Sequence, residues 1–243
     1  MNNKKTNKQS PALVIMKREM GAYFASPIAY IVTVVFLITA GIFVFQVFFF
    51  QSRAELRSYF SLLPFLLSFF IPALTMRLFA EEKRSGSIET LLTLPVTETH
   101  VVTGKWLAAF FSSGAMIAPT LLYIIPLVIF GSPDFGPIVG GFLGALFLCA
   151  AFSAIGVFAS SVTKNQIIAF IVALAICITL TMVNTFLIFL PARIVDVASY
   201  LSASTHFTSI SRGIIDTRDV LYFVSLTVFF FYLTVIAQQK ERN

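Results

Sequence analysis

Six apolar segments of membrane-spanning length constrain this chain more than any other feature. They cover about 28–50, 58–76, 106–130, 138–162, 166–190 and 220–237, and none of them contains a charged residue. A helix needs about 20 apolar residues to cross the hydrocarbon core of a bilayer. Only 12% of the 243 residues are charged, whereas roughly 25% is typical of soluble domains. The sequence therefore predicts an all-α integral membrane protein with six transmembrane helices.

The basic residues predict the orientation of these helices. Six spans place both termini on one side of the membrane, and that side carries 12 of the 17 basic and six of the 11 acidic residues. The whole net charge of +6 then lies on one side, as the positive-inside rule requires of the cytoplasmic side. We therefore expect a multi-pass protein of the bacterial cytoplasmic (inner) membrane with both termini cytoplasmic. Residues 1–11 are expected to be a disordered basic tail and 12–243 the transmembrane domain.

A polar interval at 77–105 separates the second and third spans and lies on the predicted cytoplasmic side. Within it, Ile88, Leu91 and Leu92 follow a helical spacing that places three apolar side chains on one face, and Pro95 ends the run. A short amphipathic helix between two spans suits docking to a partner better than burial in a core. We interpret 77–105 as a loop that receives mechanical work from a cytoplasmic motor.

The segment 12–24 predicts an interfacial helix before the first span. Met16 and Tyr23 fall near its apolar face, while Lys17 and Arg18 lie on the opposite face. The alternative is a cytosolic extension of the first span, although Ser26-Pro27 is expected to break the helix.

The acidic pair at the start of the polar interval has two interpretations. Glu81 and Glu82 could belong to a solvated face, with two basic residues beside them. Alternatively, they clamp the end of the second span to the interfacial helix through Lys17 or Arg18. Further along, Glu89 could contact the rim of a docked partner.

The interval 191–219 on the predicted outer face is long for a bare loop. Its apolar residues repeat at helical spacing between Ile194 and Leu201, which predicts a short outer helix. This interval is either an amphipathic segment in the headgroups or a re-entrant plug that gates a substrate path. The polar residues that we assign to such a gate are His206, Arg212, Asp216, Arg218 and Asp219.

No catalytic, cofactor or metal site is predicted in this chain. Gly104-Lys105 does not complete a P-loop, because Thr99 replaces the required glycine and Trp106 replaces the Ser or Thr. The only histidines, His100 and His206, fall on opposite sides of the predicted membrane without a neighbouring cysteine, and no span contains a histidine. The spans lack the charged residues that proton-coupled transporters and cation channels use. This composition suits a protein whose energy comes from outside the chain.

The two cysteines predict no disulfide framework. Cys149 and Cys177 both lie within apolar segments, where a cysteine usually serves as a small buried apolar residue.

Three stretches resemble a known family. The run FAEEKRSGSIETLLTLPVT (79–97), followed by GKW (104–106), resembles the cytoplasmic coupling loop of ABC type-2 exporter permeases. That pattern contains an acidic pair, a glycine, a glutamate, paired leucines and a proline. IPALTMRLFAEE (71–82) and HFTSISRGIIDTRDVLYF (206–223) resemble the permease subunit associated with bacterial gliding motility. The resemblance extends from about Met16 to the sixth span.

The resemblance implies roles and partners that residue patterns alone do not. It implies an elbow helix at 12–24, a coupling helix at 86–95, outer re-entrant helices within 191–219, and spans one and five at a dimer interface. The partners would be cytoplasmic ABC ATPase subunits that bind ATP and Mg, a second copy or related permease, and, for the gliding-associated subgroup, a membrane protein with a large outer domain. No nucleic-acid partner is expected. The ATPase-coupling residues would be Glu81, Glu82, Gly86, Ile88, Glu89, Leu91, Leu92 and Pro95.

The predicted function is that of a permease subunit that couples ATP hydrolysis in partner subunits to events at the outer face. Those events are either export of a lipid, polysaccharide or peptide, or force transmission to an outer protein. The alternative from another class is a non-transporting membrane anchor of an extracytoplasmic complex, which would have no ATPase partner.

Overall fold

A computed structural model describes residues 10–51, 56–87, 97–130, 134–186, 200–214 and 216–242, and these residues form helices and short connections without a strand. The helices are α1 (Pro11–Ala25), α2 (Pro27–Gln51), α3 (Arg57–Thr75), α4 (Ala80–Ser85), α5 (Glu98–Ile117), a 3₁₀ turn (Ala118–Tyr123), α6 (Ile124–Phe130), α7 (Phe135–Val162), α8 (Gln166–Phe186), α9 (Ala203–Ser211) and α10 (Thr217–Arg242).

Six of the helical segments among the described residues are long and apolar enough to span a membrane. They are Pro27–Gln46, Arg57–Ser85, Glu98–Ile129, Phe135–Val162, Gln166–Thr185 and Thr217–Glu241. This confirms the predicted all-α architecture with six membrane-spanning helices.

Helix α7 is the centre of the bundle. It packs against α3, α5, α8, α9 and α10. In the most apolar part of α3 and of α7, 67% of the residues are buried, compared with 22% in α2, α8 and α10. Cys149 of α7 and Cys177 of α8 are fully buried free thiols, which confirms that they pack as small apolar residues. The core therefore forms around α3 and α7, and the other spans present large apolar faces.

Helix α1 is separate from the first span. The backbone of Ser26 is extended (φ −90°, ψ 128°), so α1 is not a continuous extension of α2. Instead α1 lies along α5, with Ala12 and Tyr23 buried and Leu13 and Val14 exposed.

Two spans are longer than the hydropathy pattern predicted. The third begins at Glu98 rather than near residue 106, so the last eight residues of the predicted loop 77–105 are helical. The sixth extends from Thr217 to Arg242, although we expected it to be the shortest. In both cases, contacts with neighbouring helices stabilise a polar helical turn in the extended part of the span, where Lys105 is fully buried and Gln238 is 3% exposed.

The outer interval contains a packed helix. The helix predicted from Ile194 onward lies mostly outside the described residues, but α9 follows it, with Ser202 accepting a hydrogen bond from the Thr205 amide at its start. Ala203, Phe207 and Ile210 of α9 are fully buried. The apolar face of α9 thus packs on α3, α7 and α8 and belongs to the core of the bundle.

Candidate functional site

Lys105 is the centre of an ion cluster at the predicted cytoplasmic end of the bundle. Its side chain is 0% exposed, and its ammonium group lies 3.0 Å from Glu19 Oε1 and 2.9 Å from Glu82 Oε2. It also donates a hydrogen bond of 2.5 Å to the carbonyl oxygen of Leu78 and lies 4.9 Å from the centre of the Phe79 ring. A buried ammonium group needs such compensation, because its desolvation costs several kcal/mol.

Arg18 completes the ion cluster, which we define as Arg18, Glu19, Glu82 and Lys105. Its guanidinium group donates hydrogen bonds of 2.6 Å to Glu19 Oε1 and to Glu82 Oε1. Burial alone would raise the pKa of Glu19, but Lys105 and Arg18 together hold the pKa of this carboxyl below its ordinary value. Two cations and two anions from α1, α4 and α5 thus neutralise one another.

The ion cluster distinguishes the two interpretations of the acidic pair. Glu82 contacts Arg18, which is the clamp between the second span and the interfacial helix, whereas Glu81 is exposed. Lys17 is also exposed, and within the described part of the chain it forms no ion pair.

The residues on either side of Lys105 bring α5 close to its neighbours. A Cβ atom at Gly104 would lie 2.7 Å from the Ala12 carbonyl oxygen and 2.8 Å from Ile15 Cβ, so only glycine lets α1 approach this closely. On the other side, the Trp106 indole donates a hydrogen bond of 3.1 Å to the carbonyl oxygen of Ala150. The GKW stretch thus joins α1, the ion cluster and α7 in three consecutive residues.

Lys83 connects α4 to helices outside the ion cluster. Its ammonium group is buried and contacts the Ser161 carbonyl oxygen at the end of α7 and the Glu241 carboxylate at the end of α10. Neighbouring residues of α4 are therefore attached to different parts of the bundle: Glu82 to α1 and α5, and Lys83 to α7 and α10.

Ser160 fixes the start of α4. Its hydroxyl accepts hydrogen bonds from the Phe79 and Ala80 amides at 2.9 and 3.0 Å and donates one of 3.0 Å to the Met76 carbonyl oxygen. These amides lie at the start of a helix and have no intrahelical partner. A side chain of α7 thus satisfies the turn between α3 and α4.

The predicted docking segment begins where α4 ends. Gly86 ends the helix in the left-handed conformation (φ 75°), which glycine adopts without strain. The remaining residues assigned to coupling, namely Ile88, Glu89, Leu91, Leu92 and Pro95, lie outside the described residues. The structure therefore positions the base of this segment, through Glu82, Lys83 and Gly86.

At the other end of the bundle, two of the predicted gate residues lie in contact. His206 Nδ1 of α9 is 2.6 Å from Asp219 Oδ1 of α10, and both side chains are 9% exposed. His206 Nε2 lies 3.0 Å from the Tyr200 carbonyl oxygen, and its ring stacks on Tyr222 with ring centres 4.1 Å apart. We call His206 and Asp219 the outer pair.

The other three predicted gate residues are not part of the outer pair. Arg212, Asp216 and Arg218 are exposed. Asp216 accepts a hydrogen bond of 3.0 Å from the Arg218 amide at the start of α10, which is a helix-capping contact.

Sequence reasoning missed several residues of these sites, for physical reasons. We had placed Lys105 at the end of a loop, and Glu19, Ser160 and Glu241 were given no role. The available signals were a lysine between glycine and tryptophan at the start of an apolar span and an acidic residue in an otherwise basic helix. Tyr222 lacked even such a signal, because it lies among other aromatic residues.

Comparison with known families supplies a match over most of the chain. A family model described as ABC-2 family transporter protein matches residues 51–238. The search of curated proteins gives no match. The matched region contains α3 to α9 and nearly all of α10, so it includes Glu82, Lys105 and the outer pair.

Proposed function

This chain belongs to the ABC-2 family of transporter proteins, and from that premise we propose that its ion cluster couples ATP hydrolysis in a partner ATPase to movement at the outer face. The chain is a multi-pass permease subunit of this family. We place it in the bacterial cytoplasmic membrane with both termini cytoplasmic, since the basic residues are concentrated on that side. The active assembly would contain cytoplasmic ABC ATPase subunits and a second permease.

The observation that carries the proposal is the attachment of α4. This helix leads directly into the predicted coupling helix, and its Glu82 lies in the ion cluster with Glu19 and Lys105. A force applied to 86–95 by an ATPase would therefore reach α1 and α5 through buried, directional contacts. Salt bridges of this kind are costly to leave half-made, so the connected parts should move together.

Helix α10 offers a route from this end of the bundle to the other. Glu241 contacts Lys83 near one end of α10, and Asp219 contacts His206 near the other. Glu241 follows Asp219 by 22 positions (241 − 219), which correspond to about 33 Å of helix at 1.5 Å per residue, close to the roughly 30 Å thickness of the hydrocarbon core. Movement of α4 would thus be transmitted along α10 to α9.

The proposal includes two outcomes at the outer face. One is export of a lipid, polysaccharide or peptide between two permease copies. The other is force transmission to an outer protein, which the likeness of 71–82 and 206–223 to gliding-associated permeases supports. The exposed apolar faces of α2 and α8, including Ile38 and Ile171, suit contact with a second permease.

The decisive experiment is purification of the tagged chain from native membranes, with identification of its partners and measurement of ATPase activity. We expect an ATPase with a P-loop in roughly one copy per permease. Leu91→Asp should abolish ATPase association or its coupling, whereas Thr93→Asp, off the apolar pattern of Ile88 and Leu92, should retain both.

The competing hypothesis makes the opposite prediction. A non-transporting anchor would purify with outer-face proteins and without an ATPase, even after mild crosslinking. Equal ATPase association and activity in Leu91→Asp and wild type would contradict the coupling role of 86–95 while leaving family membership unaffected.

A further inference from the structure

A cavity of about 480 Å³ lies between α1, the end of α3, α4 and α5. This volume falls within the roughly 300–1,000 Å³ of typical small-molecule sites. Leu74, Ala108 and Ala109, from two of the spans, form an apolar part of its wall, and Arg77 and Glu81 contribute charge. The cavity therefore combines a charged part with an apolar part, as a site for an amphiphile requires.

The charges of this cavity are not all committed to internal contacts. Arg18, Glu19 and Glu82 also line it, but they neutralise one another and Lys105 within the ion cluster. Arg77 and Glu81, four residues apart, form no ion pair with any other residue that the structure describes. The cavity thus offers one unpaired cation and one unpaired anion, which lie close together in the sequence.

Contacts with α1 hold Arg77 at the cavity. Its guanidinium group lies 3.4 Å from the Ala22 carbonyl oxygen and 5.8 Å from the centre of the Tyr23 ring. These contacts leave most of its five N–H donors available, and guanidinium groups bind phosphate oxygens through paired N–H donors.

The position of the cavity indicates access from the bilayer. Helix α1 exposes Leu13, Val14 and Phe24, each 42–51% exposed, which suits a helix lying in the membrane interface. The apolar wall residues belong to α3 and α5, and the two unpaired charges, Arg77 and Glu81, lie just beyond the end of α3. Charged groups at headgroup depth above an apolar wall match the arrangement of a phospholipid.

We propose that this cavity binds a resident phospholipid whose headgroup carries both a phosphate and a primary ammonium group, as in phosphatidylethanolamine. Arg77 binds the phosphate, and Glu81 accepts hydrogen bonds from the ammonium group. The glycerol end faces Leu74 and Ala108. This lipid proposal does not rest on the proposed ATPase coupling, because it is argued from the cavity and its unpaired charges alone.

The first test measures lipid selectivity of the full-length protein in detergent micelles by native mass spectrometry. Titration compares phosphatidylethanolamine, phosphatidylglycerol, which lacks the ammonium group, and phosphatidylcholine, whose quaternary ammonium cannot donate a hydrogen bond. We expect phosphatidylethanolamine to bind about tenfold more tightly than either, since a hydrogen bond to a charged group is worth at least one such factor. Equal binding of all three lipids would overturn the proposal, as would full competition by free phosphoethanolamine, which would indicate a soluble ligand.

The second test uses matched variants. Arg77→Gln should weaken phosphatidylethanolamine binding about tenfold, and Glu81→Gln should remove the preference over phosphatidylglycerol. Arg84→Gln is the control, because Arg84 is an exposed arginine nearby that does not line the cavity. Glu81 is itself exposed, so Glu81→Gln remains informative if Arg77→Gln folds poorly.

A third outcome identifies a different occupant. If Arg77→Gln and Glu81→Gln lose a copurifying ATPase while their lipid binding equals that of the wild type, the cavity is an ATPase contact and the lipid proposal is wrong.

Discussion

Close packing at glycine occurs at both ends of the helix bundle, at Gly104 and at Gly140, but the predicted cytoplasmic end adds a cluster of buried charges. At the predicted cytoplasmic end, buried charges join α1, α4 and α5, with Lys105 fully enclosed between Glu19 and Glu82. At the outer end, α9 is seated on glycines of α7: a Cβ atom at Gly140 would collide with the backbone of α9, and one at Gly144 would lie 3.2 Å from the Phe207 ring.

This difference suits the two ends to different tasks. Ion pairs act over several ångströms and have defined partners, so the end beside α4 can transmit a displacement while it stays connected. Close packing at glycine acts only at contact and allows little movement without a clash. Helix α9 is therefore expected to move together with α7 as one unit, and the outer pair links this unit to α10.

Replacing Lys105 with methionine should give the largest effect on stability. The substitution leaves Glu19 and Glu82 partly buried with only Arg18 to neutralise them, and breaking a buried pair costs about 3–5 kcal/mol. We expect a marked drop in the midpoint of thermal unfolding in detergent. Lys164→Met, at an exposed lysine in the connection between α7 and α8, should leave the midpoint unchanged. Similar midpoints for both variants would show that the ion cluster does not stabilise this end.

Gly140→Ala tests the outer end and should have the next largest effect. The new methyl group would meet the Ile210 carbonyl and the Gly213 backbone, which cannot move aside as a side chain can. Overpacking of this kind costs about 1–3 kcal/mol. Gly114→Ala is the matched control, because a methyl group there would make only an ordinary contact of 3.9 Å with Leu146, and alanine favours the helix by up to about 1 kcal/mol. Gly140→Ala should therefore lower the unfolding midpoint and Gly114→Ala should raise it. Changes of the same sign in both variants would contradict the packing argument.

Asp219→Asn should have a smaller effect, because asparagine can still accept a hydrogen bond from His206. Only the charge-assisted part of the contact is lost, about 1 kcal/mol. If α10 transmits movement to α9, transport or ATPase coupling should fall more than the unfolding midpoint does. Asp216→Asn is the control, since asparagine caps a helix as well as aspartate. Equal activity of the two variants would remove the outer pair from the proposed route.

Hydropathy was sufficient to predict the number of spans, but not the bounds of the third and sixth spans or how the spans meet. The six apolar segments follow from composition, and complementary charge offered a contact of Glu82 with Lys17 or Arg18 as one of two interpretations. The role of Lys105 does not, because its partners Glu19 and Leu78 lie 86 and 27 residues away and no local pattern specifies which of several charges will meet. The glycines are a partial signal, since small residues such as Gly140 and Gly144 within a span permit close helix packing, but the sequence does not name α9 as the partner.

The smallest predicted effect is a pH dependence of the unfolding midpoint that arises at the predicted cytoplasmic end through Glu19. The pKa of Glu19 is held below its ordinary value of about 4.3 by Lys105 and Arg18, so its contribution to stability is fully present above that pH. The contribution is lost as pH falls through the lower folded-state pKa, because protonation removes one partner of both cations. Between neutral pH and a pH below about 4.3, the unfolding midpoint of the wild type should therefore fall more steeply than that of Glu19→Gln. Glu81→Gln, at an exposed carboxylate that forms no ion pair with any other described residue, serves as the comparison for general acid sensitivity. Parallel pH profiles of wild type and Glu19→Gln would mean that this carboxylate does not stabilise the ion cluster, and the contrast between the two ends would then depend on Lys105 and Glu82 alone.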